Sequence, residues 1–237
     1  MMSLPPAPVS ILRDEIPLPA SYVEPLWTKD LIREWSKREE LLAVEAYPTQ
    51  SLLLRGPSGV GKSTSARWIA QKMNLPLFTM SLASTITSFM GETGAKIAAG
   101  LEYAMRNRVV LLIDEIDSIA ASRSAKHSDV GEIWRITNTV IQELDKWHAE
   151  PRTSLIVGTT NMADEDIDQA IQRRFELQVE VQMPTSKELS VISGIPWPEG
   201  FQVSHAVCRR MVLQAKRASV MNGMDYATVL MSMISNA

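Results

Sequence analysis

The sequence predicts an α/β fold: a five-stranded parallel sheet flanked by helices, followed by a small helical C-terminal lid. Three observations predict it. Short apolar runs alternate with longer stretches of helical periodicity, the order that βα units require. The clearest run, Val109-Val110-Leu111-Leu112-Ile113, is unbroken, as in a parallel strand covered on both faces. A glycine-rich loop joins the first of these runs to the helix after it. At 237 residues the chain is long enough to bury one large core and a small satellite domain.

Residues 1–19 carry Pro5, Pro6, Pro8, Pro17 and Pro19, and they lack the basic start and apolar centre of a secretory signal. They read as an extended N-terminal arm, disordered alone or laid along a neighbour. Residues 20–46 read as helical, with Leu26, Trp27, Leu31, Ile32, Trp35, Leu41 and Leu42 forming an apolar stripe that ends before Pro48. Strands are expected at 51–55, 75–81, 109–113, 154–158 and 176–183. The main domain then runs from 20 to 183, and the lid from 184 to 237. No apolar stretch approaches the roughly 20 residues needed to span a bilayer.

Between the first strand and its helix lies Gly56-Pro57-Ser58-Gly59-Val60-Gly61-Lys62-Ser63, followed by Thr64. The pattern is G-x-x-x-x-G-K-[ST], a loop whose glycines let backbone N–H groups turn inward onto the phosphates of a nucleoside triphosphate. Lys62 supplies a point charge and Ser63 a hydroxyl for Mg²⁺. The next helix directs its positive dipole end at the same anion. A plain glycine-rich turn before a helix is the alternative. Asp114 and Glu115 end the run 109–113, where open α/β sheets place their ligands. Asp114 suits Mg²⁺, and Glu115 suits the orientation and deprotonation of an attacking water. Acidic residues also favour helix N-termini, so that alternative stands beside it. Thr159-Thr160-Asn161 ends the run 154–158, and the Asn161 amide is available to a water or the γ-phosphate, or simply to a turn.

Two more stretches complete the pattern: Thr87-Ser88-Phe89-Met90-Gly91-Glu92-Thr93, and Asp168-Gln169-Ala170-Ile171-Gln172-Arg173-Arg174-Phe175. In this order, from about Ser51 to Met183, the motifs resemble those of the AAA+ ATPases, specifically the AAA subgroup that remodels proteins. The resemblance implies ATP and Mg²⁺ as cofactors, with Lys62 and Ser63 in Walker A and Asp114 and Glu115 in Walker B. It implies Asn161 as sensor 1. Arg173 and Arg174 become arginine fingers that reach the γ-phosphate of a neighbouring subunit. Phe89, Met90 and Gly91 become a pore loop that grips substrate. Asp117 and Arg123 also fit, although Arg123 equally reads as a solvated helix charge. The implied partners are further copies in a hexameric ring and a protein substrate, in the cytoplasm.

There are departures from that family. No counterpart of the subgroup's adenine-side signature is evident near the N-terminus. The lid is short, and Ser193-Gly194-Ile195-Pro196-Trp197-Pro198-Glu199-Gly200 interrupts it. At the sensor-2 position the chain offers His205 rather than arginine, a residue near nucleotide or a bystander. Cys208, the sole cysteine, excludes an internal disulfide and reads as a buried thiol. His127, His148 and His205 show no ligand spacing. A net charge of −3 argues against nucleic acid, while Arg209, Arg210, Lys216 and Arg217 form one basic stretch. Two alternatives therefore stay open: a nucleic-acid-directed ATPase of the helicase-loader or transposition-regulator type, and a nucleotide-dependent assembly scaffold.

Overall fold

The computed structural model describes residues 4–19, 21–82, 92–118, 130–161 and 168–236, with the backbone alone at 130–133. Phe89, Met90, Gly91, Arg123 and His127 lie outside these residues. Contacts divide the chain into two compact units. The first comprises Met1–Leu18, Glu24–Gly56 and Lys62–Glu180, and the second Pro19–Val23, Pro57–Gly61 and Val181–Ala237.

In the first unit the elements run β1 (Leu12–Asp14), α1 (Thr28–Ser36), α2 (Arg38–Leu42), β2 (Ser51–Arg55), α3 (Lys62–Lys72), β3 (Leu77–Ser81) and α4 (Thr93–Arg106). They continue with β4 (Val110–Asp114), α5 (Val130–Trp147), β5 (Leu155–Thr160), α6 (Gln169–Gln172) and β6 (Leu177–Glu180). The sheet order is β1-β3-β4-β5-β2-β6. β2 to β6 are parallel neighbours throughout, and their carboxyl ends therefore lie along one border. Leu52, Leu53, Leu54, Val110, Leu111, Leu155, Ile156 and Val157 are all completely buried, as strands covered on both faces demand.

The expected five-stranded parallel sheet needs correction: among the described residues it has six strands and is mixed. β1 pairs antiparallel with β3, with Leu12 opposite Thr79 and Asp14 opposite Leu77. Part of the arm, which its prolines mark as disordered or laid along a neighbour, thus lies on the chain's own sheet. Three anchors hold it there. Ile11 enters the core at 2% exposure. The Asp14 carboxylate pairs with Arg67 Nε at 2.9 Å. The Tyr103 hydroxyl donates to the Pro5 carbonyl at 2.9 Å. Room for the arm comes from Gly100, where an added Cβ would stand 2.8 Å from Ile11 Cγ2 and closer still to Met80 Cε. Ile11→Ala should cost about 2–5 kcal/mol of stability through the cavity it leaves. An unchanged denaturation midpoint would show that the arm does not support the core.

The second unit is held by α7 (Ser186–Ser193), α8 (His205–Asn222) and α9 (Tyr226–Ser235). Each has a side-chain N-cap: Thr185 in a reciprocal capping box with Glu188, Ser204, and Asp225. Leu189, Trp197, Cys208, Ala215 and Leu230 form its core. The proline- and glycine-rich stretch is an ordered connection: Gly194 ends α7 at φ 76°, and Trp197 Nε1 donates to Ser193 Oγ at 2.7 Å. Burial pushes the Cys208 thiol up to about 11, so it is inert packing.

Candidate nucleotide site

Sheet order explains why residues distant in sequence meet. β5 lies between β2 and β4, and the three run parallel, so the segments leaving their carboxyl ends emerge side by side. After β2 the loop turns through Gly56, Gly59 and Gly61 at φ 140°, 79° and 100°, values that side chains disfavour. Lys62 opens α3 and is only 7% exposed. Its ammonium donates to the Gly56 carbonyl at 2.7 Å and to Asn161 Oδ1, beyond β5, at 2.8 Å. Burial lowers the Lys62 pKa, and the negative charges of Asp117, Asp114 and Glu115 oppose that shift.

The next residue, Ser63, donates its hydroxyl to Asp114 Oδ1 at 3.0 Å, at the end of β4. Thr159 Oγ1 donates to the same carboxylate oxygen at 2.5 Å and accepts the Glu115 N–H at 3.1 Å. One threonine at the end of β5 thereby fixes both acidic residues. No local sequence signal marks it, because only the strand order puts it beside them. Glu115 has a left-handed backbone, φ 56°, with its side chain exposed. Such a conformation in a non-glycine residue is strained and concentrates at functional positions.

The site fits a Mg²⁺-bound triphosphate. Ser63 and Asp114 place an alcohol and a carboxylate oxygen together, a donor set for a hard cation. Lys62 directly follows in sequence a loop whose glycines can turn N–H groups onto phosphate oxygens. Within the second unit, the middle of that loop is tied to the start of α8. Ala206 N donates to the Gly59 carbonyl at 3.1 Å, and His205 Nδ1 lies 2.8 Å from the Val60 carbonyl, which can only accept. A Cβ at Gly59 would meet Ser204 Oγ at 2.8 Å. Burial lowers the His205 pKa, favouring a neutral ring whose proton sits on Nδ1.

The two arginines differ. Asp168 caps α6, accepting the Ala170 N–H at 2.8 Å, and the arginines stand at its other end. Arg174 is committed within the chain: Asp145 takes both ends of its fork at 2.8 and 2.9 Å, and Ala170 O takes a third N–H at 2.7 Å. The Arg173 side chain is exposed and donates to Gln169 Oε1 at 3.4 Å. Among the described residues, neither shares a hydrogen bond or ion pair with Lys62, Ser63, Asp114 or Glu115. No helix among the described residues is long and apolar enough to cross a membrane. No group of three His, Cys, Asp or Glu among them is placed to hold a metal.

Residues 52–183 match the family described as "ATPase family associated with various cellular activities (AAA)", more than half of the chain. The chain is 32% identical over 166 residues to an uncharacterized AAA family ATPase, y4kL, of Sinorhizobium fredii, covering 69% of this chain and 48% of that protein. It is 32% identical over 151 residues to Fidgetin-like protein 1 of Caenorhabditis elegans, covering 62% of this chain and 25% of that one. It therefore spans less than half the length of either relative. The crystal structure of the FIGL-1 AAA domain in complex with ADP shares the fold, with a TM-score of 0.69 at 21% identity over 92% of this chain and 81% of that one. Family and site geometry agree: this chain belongs to the AAA ATPases.

Proposed function

We propose that the chain is one subunit of a homo-oligomeric ring, a hexamer, in which ATP hydrolysis remodels, threads or disassembles a protein substrate or complex. The observation that carries this is the placement of Arg173: among the described residues it is an exposed cation at the end of a capped helix, with no hydrogen bond or ion pair to Lys62, Ser63, Asp114 or Glu115. Such a group is useful to catalysis if the active site it completes lies on a neighbour.

In this reading the loop 56–61 and Lys62 hold the phosphates, with Thr64 in the first turn of the helix that Lys62 opens. Ser63 and Asp114 would hold Mg²⁺, which would supply positive charge beside the phosphate oxygens. Glu115 takes the proton of the attacking water, and Asn161, already on Lys62, reports the γ-phosphate. Loss of the γ-phosphate would then release contacts made by both subunits and shift one against the other.

Force on the substrate is assigned to Phe89 and Met90, with Gly91 letting their loop tilt. Phe89→Ala should leave basal ATP turnover within about twofold, because it removes no phosphate or metal ligand. Release of a permanently unfolded test polypeptide, and its stimulation of turnover, should be lost. Phe89→Tyr should retain both. If Phe89→Ala processes the polypeptide normally, threading is wrong. Stimulation of turnover by DNA but not by polypeptide would instead support the nucleic-acid-directed reading.

A further inference from the structure

His148, one residue beyond α5, stands where the end of that helix, the start of β2 and the arginine turn meet. Its Nε2 is 2.7 Å from the Arg174 carbonyl, and its Nδ1 is 3.2 Å from Glu176 Oε1. Ser51 Oγ, at the start of β2, lies 3.3 Å from Nε2, donates to the Arg174 carbonyl at 3.3 Å and accepts the Glu176 N–H at 3.0 Å. The other Glu176 oxygen accepts the Gln50 N–H at 2.6 Å. Arg174 is thus held twice by one helix end, through its guanidinium by Asp145 and through its carbonyl by His148. Phe175, 4% exposed, pins the next residue into the core.

We infer that His148, as an imidazolium bridging the Arg174 carbonyl and the Glu176 carboxylate, is the positioning residue that sets the direction of the Arg173–Arg174 turn. The inference rests on the reading of that pair as groups acting on a neighbour's nucleotide. Each ring nitrogen faces an oxygen that can only accept, a carbonyl on one side and a carboxylate on the other. A neutral ring satisfies one of them, and only the doubly protonated ring satisfies both. The charged groups that act on it are Glu176, just past the turn, and Asp145 on α5, while Arg174 faces it with its main-chain carbonyl and the start of β2 contributes the neutral Ser51.

The hydrogen bond to Glu176 raises the His148 pKa above the ordinary value of 6.5, burial opposes it, and the Arg174 carbonyl adds to the rise. Burial pushes Glu176 up, but hydrogen bonds from His148, Gln50 and Ser51 outweigh it and hold the carboxyl below its usual value. A group with a raised folded pKa stabilises fully below its unfolded pKa and loses that contribution as pH rises through the folded one. The bridge is therefore intact between the lowered Glu176 value and the raised His148 value, and it opens on the alkaline side as the ring loses its proton.

The experiment uses the full chain and measures steady-state ATP turnover against pH, ATP affinity and thermal unfolding for wild type, His148→Gln and Glu176→Gln. Wild-type turnover should fall about tenfold along an alkaline limb, the size expected for one hydrogen bond to a charged group. That limb should follow the His148 ring titration observed by NMR. His148→Gln should bind ATP as wild type does, run at the lower rate and lack the limb. Glu176→Gln should move the limb to lower pH. A folded His148→Gln variant with wild-type rate and profile overturns the inference, and if His148→Gln does not fold, an unmoved limb in Glu176→Gln does the same. Arg173→Ala separates the two levels. Full turnover in that variant removes the underlying reading and the inference with it, whereas its inactivity beside a normal His148→Gln profile removes the inference alone.

Discussion

Replacing Glu115 with glutamine should reduce ATP turnover by roughly 10²–10⁴-fold, the usual contribution of a positioned general base, while ATP affinity stays close to wild type. Local geometry makes this substitution unusually clean. Gln is close to isosteric with Glu and meets the same strain at φ 56°, so the backbone cost is nearly unchanged. The Thr159 hydroxyl holds the residue through its main-chain N–H and does not depend on the carboxylate. Ser63, Asp114 and Lys62 keep their partners. Phosphate release by the purified variant, measured beside equilibrium binding of ATP, checks it. Turnover within a few-fold of wild type would assign activation of the water to another group.

Arg173→Ala should lower turnover by roughly 10³-fold or more, as for other arginines that complete a phosphoryl-transfer site from outside. Thermal stability should hardly change, because the exposed side chain gives up only a 3.4 Å contact to Gln169. Arg174→Ala should also impair turnover, but for a different reason. It removes a fork bound at both ends by Asp145, and the turn that carries Arg173 loses a support. That pair is solvent-exposed on the Asp145 side, at 57%, so its direct contribution to stability is small. Mixing inactive Glu115→Gln subunits with inactive Arg173→Ala subunits provides the decisive measurement. Recovery of turnover in the mixture means that the arginine acts on another chain. No recovery, with both variants still associating, would place its action within one chain.

The parts of this molecule written in contiguous residues are legible in the amino-acid sequence alone. The strand expected at 109–113 is found at Val110–Asp114, and the one expected at 51–55 is found at Ser51–Arg55. The loop 56–63 and the acidic pair after β4 announce themselves by residue type and spacing. The hidden parts depend on neighbours in space. Thr159 matters because β5 runs beside β4, which no local pattern reports. His148 shows no ligand spacing because its partners are a main-chain carbonyl and a glutamate beyond the arginine turn. The expected strand 176–183 shrinks to Leu177–Glu180, since its alternating pattern outlasts its pairing with β2. β1 is silent for a complementary reason: three residues among prolines are too few for any periodicity to register.

β1 also decides what the sheet offers to other molecules. Without it, β3 would be the outermost strand, and Leu77-Phe78-Thr79-Met80-Ser81 would display an uncharged, proline-free ladder of free N–H and C=O groups. Such a border invites strands from other chains to add on. With β1 in place the border is three residues long and carries Arg13 and Asp14, with Pro8 and Pro17 within four residues of its ends. Prolines cannot donate to a growing ladder, so pairing stops there. The arm is a guard against uncontrolled sheet growth at this border.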